Sequence, residues 1–231
     1  MKDQFYFKSL KNVTAFCLAV CAIAFLFSGC GKTEDPTPVP PTAGVAVIQM
    51  SDATSPAQDA YINNIKLNSS PITYGVVLGY YLVQTGPSTV DFKNASTGAL
   101  SASVSLTTVE NKTYSVVYGD NNAIVKAEDD QTSPQSGKAR IRFLNVSGYL
   151  NQNVDFGGAG GNKVVLNLPL NTVSDYYEVD PTATTSITVY PAGTTTPTIT
   201  TNVGLLAGHA YYYIVSGTTT GSVKGLLLTQ F

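Results

Sequence analysis

The stretch ARIRFLNVS, Ala139 to Ser147, alternates: Ile141 and Phe143 fall on one side of an extended chain, Arg140 and Arg142 on the other. Alternation with a period of two marks a β-strand whose two faces meet different surroundings. An earlier stretch, AVIQMSDATS from Ala46, begins the same way and also passes into a polar turn. Three more pairs follow in the same order. GVVLGYYLV sets Tyr80-Tyr81 against the Tyr176-Tyr177 of TVSDYYEV; STVDFKNASTG stands against TSITVYPAGTT; TYSVVYG, Thr113 to Gly119, stands against YYYIVSG, Tyr211 to Gly217. Four matches in one order define two homologous units, placed at residues 44–127 and 138–231.

Each unit carries seven or eight short alternating runs separated by Gly, Pro, Asn and Ser turns, and no segment after residue 30 keeps a helical period over three turns. Many short strands with regular turn signals predict an all-β fold of two tandem immunoglobulin-like β-sandwich domains. The cysteine pair and tryptophan of true immunoglobulin domains are missing, since the chain has no tryptophan. Between the units lies AEDDQTSPQSG, Ala127 to Gly137, polar, acidic and interrupted by Pro134. It reads as a linker over 128–137, with Glu128-Asp129-Asp130 as solvated charge. A calcium site there is the lesser alternative, because calcium takes six to eight oxygen ligands and no spaced set of them occurs locally.

ARIRFLNVS followed by VDF, LPLNTVSDYYEV, ITVYPAGTTTP and LLAGHAYYYIVSG resembles the bacterial family known as domain of unknown function 4397. The second unit matches that pattern along nearly all its length. The first is more degenerate, with Met50-Ser51-Asp52 in place of Phe143-Leu144-Asn145 and Asn94-Ala95-Ser96 in place of Pro191-Ala192-Gly193. The resemblance implies a cell-surface or periplasmic lipoprotein with tandem immunoglobulin-like folds; it implies no activity.

The amino terminus agrees. Lys2, Lys8 and Lys11 lead into an apolar run from Val13 to Phe27, which ends at Ser28-Gly29-Cys30. A basic lead, a short apolar core and small residues before a cut site describe a secretory signal peptide, here 1–29. The run is shorter than the roughly 20 apolar residues of a membrane-spanning helix. LFSGC resembles the lipobox of bacterial lipoproteins, in which the cysteine is acylated and becomes the first residue; Phe27 departs from the residues that pattern favours. The other reading is an ordinary signal peptide, or an uncleaved anchor, with Cys30 incidental. Of the three cysteines, Cys17 and Cys21 leave with the apolar run, so Cys30 would remain as a lone thiol. Acylation removes that anomaly and gives stable membrane anchoring when more than one chain is attached. Gly31-Lys32-Thr33-Glu34-Asp35 is similar to the acidic export signal of Bacteroidetes surface lipoproteins. The outer membrane, cell surface ahead of periplasmic face, is the expected location. PTPVPPTAG, Pro36 to Gly44, supplies a stiff extended spacer, so residues 30–43 read as lipidated cysteine plus linker.

Removing residues 1–30 leaves ten Lys and Arg against fourteen Asp and Glu, a formal charge of −4. Such a chain lacks the basic footprint of nucleic-acid binding. His209 is the only histidine, and no G-x-S-x-G elbow is present. No cofactor or metal is implied: one histidine and one acylated cysteine make a poor zinc site. The carboxylates Asp52, Asp59, Asp91, Glu110, Asp120, Asp155, Asp175, Glu178 and Asp180 are scattered and read as solvated rim charges. A hydrolase would need two of them facing each other across a cleft. FGGAGG, Phe156 to Gly161, precedes another strand-like run and reads as a loop, not a phosphate cradle.

The 14 tyrosines carry the best functional signal. Tyrosine joins a large apolar ring to a polar tip and is enriched at recognition surfaces. Tyr80, Tyr81, Tyr176, Tyr177 and Tyr212 are the candidate ligand contacts, against the plainer alternative of core packing. On a strand Tyr211 and Tyr213 share one face and Tyr212 takes the other. The expected function is non-catalytic: an envelope lipoprotein for adhesion, scaffolding or ligand binding, held to the membrane through Cys30. Its ligand is an unknown protein or glycan. The alternatives are glycan capture beside an outer-membrane uptake system and, more remotely, a carboxylate-dependent hydrolase.

Overall fold

The computed structural model describes residues 40–158 and 161–230, so the signal peptide and Cys30 lie outside the described residues. Pro40–Phe231 form one compact unit. The first repeat runs β1 (Thr42–Gln49), β2 (Gln58–Ile62), β3 (Ile65–Lys66), β4 (Val76–Gln84), β5 (Gly86–Asn94), β6 (Leu100–Thr108), β7 (Thr113–Tyr118) and β8 (Ile124–Asp129). The second runs β9 (Ala139–Asn145), β10 (Val154–Gly158), β11 (Lys163–Leu168), β12 (Tyr177–Val179), β13 (Ser186–Pro191), β14 (Ile199–Asn202), β15 (Ala210–Ser216) and β16 (Lys224–Thr229). A 3-10 turn at Asp120–Asn122 is the only helical element among the described residues.

Each repeat is a sandwich of two four-stranded sheets. The orders β4-β1-β7-β8 and β3-β2-β5-β6 recur as β12-β9-β15-β16 and β11-β10-β13-β14. In both, the first strand sits inside its sheet and runs parallel to the seventh. Registers repeat as well: Val45 lies between Tyr81 and Tyr114, and Ile141 between Tyr177 and Tyr211. The two repeats thus share one pairing pattern, in which Val45 is equivalent to Ile141, three residues away from the sequence comparison that set Ala46 against Ala139. Local chemistry sets the turns. Asn63 and Asn64 both take positive φ, which lets a two-residue turn join β2 to β3 with the twist a hairpin needs.

Alternation sorts the side chains into cores. Val45, Val47, Phe92, Val116 and Tyr118 pack between the sheets of the first repeat. Ile141, Phe143, Phe156, Tyr211 and Tyr213 do so in the second. The opposite faces of β1, β7, β9 and β15 are covered too. Ile48, Met50, Val117 and Val125 meet Leu144, Val146, Tyr212 and Ile214 in a third core that joins the repeats. Burying each such aliphatic side chain contributes about 1.5–3 kcal/mol. The result is four stacked sheets in which β9 and β15 are buried at every position.

That third core corrects two sequence readings. Asp129 is not solvated linker charge: β8 continues through it, and alternation puts it on the same face as Val125, where it is buried. Tyr212 is not an outward ligand contact, because the face opposite the core of its own repeat is covered by the other repeat; it is 2% exposed. The unstructured connection between strands is the shorter stretch from Asp130 to Lys138.

Gly119 lies close against the second repeat. A Cβ there would overlap the side chain of Val146 from the second repeat, while the neighbouring Asp120 amide donates to the Val146 carbonyl at 3.2 Å. Gly119→Ala is expected to cost about 1–3 kcal/mol through overpacking. Adding Val146→Ala should return part of that loss in a double-mutant cycle read by urea denaturation; strictly additive effects would show that the contact is not the cause.

Candidate functional site

Where the two repeats meet, the polar groups gather around Asp129. Its carboxylate accepts hydrogen bonds from the hydroxyls of Ser115 at 2.6 Å, Tyr80 at 2.8 Å and Tyr212 at 2.8 Å. The Arg142 guanidinium lies 3.4 Å away. Tyr80 comes from the edge strand β4 and reaches Asp129 because its ring passes over Gly44, which has no side chain to block it. On the second repeat Tyr176, the counterpart of Tyr80, donates to Gln230 at 2.6 Å. Its ring stacks on Arg140 at 4.3 Å and on Arg142 at 4.6 Å. Burial pushes the Asp129 carboxyl up, against the hydrogen bonds and the Arg142 charge that lower it. Burial and the Asp129 charge push Tyr80 up to about 12.

A second pair of carboxylates closes the other end of the seam. Asp120 accepts from the amides of Gly217 at 2.6 Å and Gly148 at 3.0 Å, and its other oxygen accepts from the Asp52 amide at 2.6 Å. Asp52 accepts from the Thr218 amide and hydroxyl, both at 2.9 Å. The Ser222 hydroxyl, then the Thr54 and Thr218 amides, hold the Asp52 carboxyl well below the usual carboxylate range. Asp52 and Asp120, read as solvated rim charges, are thus buried clamps from the first repeat onto backbone amides of the second.

Asp155 is a third correction of this kind. It is 1% exposed and pairs with Lys163 at 2.7 Å. Asp59 pairs with Lys66 at the same distance and occupies the corresponding place in the first repeat. These pairs hold β2 to β3 and β10 to β11. Asp175 and Glu178 are exposed. Among the described residues no group of three or more His, Cys, Asp or Glu is placed to hold a metal ion. His209 is half-buried with its ring beside Tyr211.

The structure separates the five candidate tyrosines. Tyr80, Tyr176 and Tyr212 belong to the seam. Tyr177 packs on Phe143 in the second core. Tyr81 packs on the first core and donates to the Leu67 carbonyl at 3.0 Å. Tyr81 lines an open cavity. This groove of about 400 Å³ lies where β3 and β4, the edges of the two first-repeat sheets, diverge. Ile62, Leu67, Tyr81 and Val83 form its walls, and Ile65 and Leu82 stand at the rim, 70% and 78% exposed. The sequence analysis missed Ile65 and Leu82. Their signal was available: in a strand whose alternate residues face a core, Leu82 falls on the wrong side.

A tandem β-sandwich protein with an apolar groove at the edge of its first repeat is the class these features define. Residues 43–156 match the family described as "Domain of unknown function (DUF4397)". The match spans the first repeat and ends within β10, although the sequence resemblance was fuller in the second repeat. No curated protein matches the chain. Among solved structures it is similar to CBMbc, of family CBM26, from Eubacterium rectale Amy13K in complex with maltoheptaose. That likeness has a TM-score of 0.26 and 13% identity, covering 81% of this chain and 95% of that one. It is also similar to an α-glucan-recognising family 41 carbohydrate-binding module from streptococcal virulence factors, with a TM-score of 0.27 and 14% identity, covering 77% and 95%.

Arg142→Met leaves Asp129 buried without its counter-charge and is expected to cost about 3–5 kcal/mol. Arg142→Met with Asp129→Leu should recover much of the loss; denaturant midpoints of the three proteins test this. Acidification probes the other end. A carboxyl held low in the folded state contributes stability that is present above its unfolded value, about 4, and is lost as pH falls through the folded one. Asp52, Asp59, Asp130, Asp155 and Asp180 share that direction, whereas Asp129 has the opposite sign. Stability should therefore fall below about pH 4. Asp52→Asn should be less stable at pH 7 and lose less on acidification; an unchanged acid slope would remove Asp52 from the account.

Proposed function

We propose that this protein is a non-catalytic binding module of the cell envelope, tethered by lipid on Cys30, whose ligand contact is the groove between β3 and β4. The observation that carries the reading is the rim. Leu82 and Ile65 hold apolar side chains in water beside an apolar cavity, an arrangement that costs free energy unless something covers it. The buried acids and the seam tyrosines, by contrast, have internal partners that account for their presence. The surface reading comes from the signal-like leader, the lone Cys30 and the proline-rich spacer, which together would hold residues 40–231 away from a membrane.

A glycan ligand remains the alternative occupant of the same class of site. It would stack on aromatic faces, and Tyr81 is the aromatic wall of the groove.

Two measurements test the reading. Cys30→Ala should release the protein from the membrane fraction or leave it uncleaved; a cleaved, membrane-bound mutant would refute lipidation. Residues 31–231 should bind one member of a panel of polysaccharides and matrix proteins saturably, and Leu82→Lys should weaken that binding at least about tenfold, as expected when an apolar contact that binding desolvates at the rim of a site is replaced by charge. Binding indifferent to Leu82 would move the site elsewhere.

A further inference from the structure

β4 ends its sheet. It pairs with β1 on one side and has no neighbouring strand on the other among the described residues. It is nine residues long, VVLGYYLVQ, with no charge and no proline. Such an edge presents a row of backbone donors and acceptors that proteins ordinarily shorten, charge or cover. The second repeat does this. Its equivalent strand, β12, has three residues, contains Glu178 and is flanked by Asp175 and Asp180, with Lys138 3.7 Å from Asp180. Of the two equivalent edges, the first is long and neutral and the second short and acidic. The groove opens beside the carboxyl-terminal half of this same edge, at Tyr81 to Gln84.

Taken with the groove reading above, on which this rests, the geometry points to β-strand addition. We propose that the ligand is an extended, uncharged segment of a partner protein that pairs with the free edge of β4 and sets apolar side chains, at alternate positions, into the groove. Main-chain hydrogen bonds supply affinity in this mode, and pockets for every second side chain supply selectivity. Alternation on β4 makes the fit specific: Tyr81 and Val83 face the core side, so an added strand in register turns its own alternate side chains toward Ile62 and Leu67. An uncharged occupant follows from the lining, whose polar side-chain groups are those of Asn63, Gln84 and the Tyr81 hydroxyl, none of them charged.

Two other occupants fit less well. The segment preceding β1 carries Pro36, Pro38, Pro40 and Pro41, which lack the amide donors a ladder requires. A second copy could pair its β4 edge to edge, but Val76, Leu78, Tyr81 and Val83 of that copy already pack on their own core and would leave the groove empty.

The experiment is a selection of short random peptides displayed on phage against immobilised residues 31–231, with Leu82→Lys protein as the counter-selection. That fragment contains all three cores and every strand. The selected peptides should be uncharged with bulky apolar residues at alternate positions. Remade with N-methylated amides along one edge, they should bind about tenfold or more weakly, while N-methylation along the other edge leaves binding unchanged; removing two net hydrogen bonds gives that factor. Equal tolerance of N-methylation on both edges, or no sequence enriched over the counter-selection, overturns strand addition. In that event a polysaccharide or matrix ligand still lost in Leu82→Lys would preserve the groove as a site, and loss of neither would end both readings. Sedimentation showing a dimer abolished by Leu82→Lys would assign the edge to a second copy and also overturn the proposal.

Discussion

Everything in this molecule depends on how two sheets can be buried on both faces when their strands must still carry polar groups. The seam answers with a division of labour. Its middle is apolar, from Ile48 and Val117 to Leu144 and Ile214. Its ends concentrate the polarity in Asp129 with Arg142 at one end and Asp52 with Asp120 at the other, the three carboxylates engaged by hydroxyls, amides or a guanidinium. A buried carboxylate without such partners would be costly, so the repeats cannot slide or separate without exposing several at once. The seam therefore fixes register between the repeats in a way a purely apolar interface would not.

The duplicated positions show how symmetry had to be broken. By strand register Gln230 stands in the second repeat where Asp129 stands in the first. Two carboxylates there would face each other across the tyrosines in a water-poor setting, and like charges so placed cannot both ionise cheaply. An amide avoids this, since it can donate and accept. Gln230 accepts from Tyr176 at 2.6 Å and lies 3.4 Å from the Tyr80 hydroxyl. In the same way Arg140 and Arg142 occupy positions that are Gly44 and Ala46 in the first repeat. The small residues let Tyr80 cross, and the arginines meet the acids.

Much of this was legible in the sequence, and the illegible part has one cause. Period-two patterning gave the strands, the sandwich and the duplication, because each strand reports on the core of its own repeat. It also put Tyr211 and Tyr213 on one face and Tyr212 on the other. What a strand cannot report is whether its second face meets water or another sheet. TAGVAVIQ and AYYYIVS carry the trace, as nearly unbroken apolar runs of the kind found in strands covered on both faces. Asp129 hid the seam, since an acid between two other acids before a proline reads as linker when taken locally. Its partners Ser115, Tyr80 and Tyr212 are 14, 49 and 83 residues away in the chain.

The same logic separates the residues that build the molecule from those available to a ligand. Duplication supplied two sets of tyrosines and two sheet edges. Fusion of the repeats consumed the seam-facing tyrosines, so Tyr80, Tyr176 and Tyr212 now tie the halves together. The edges lie outside the seam and differ. In the second repeat the edge has three residues, with Glu178 among them and Asp180 next to them; in the first it is nine residues long beside an apolar groove. A purely structural edge has every reason to become short or charged, since a long neutral one invites unwanted pairing. The second-repeat edge has that form and the first does not. A partner strand seated on the first edge, as proposed above, would account for the difference.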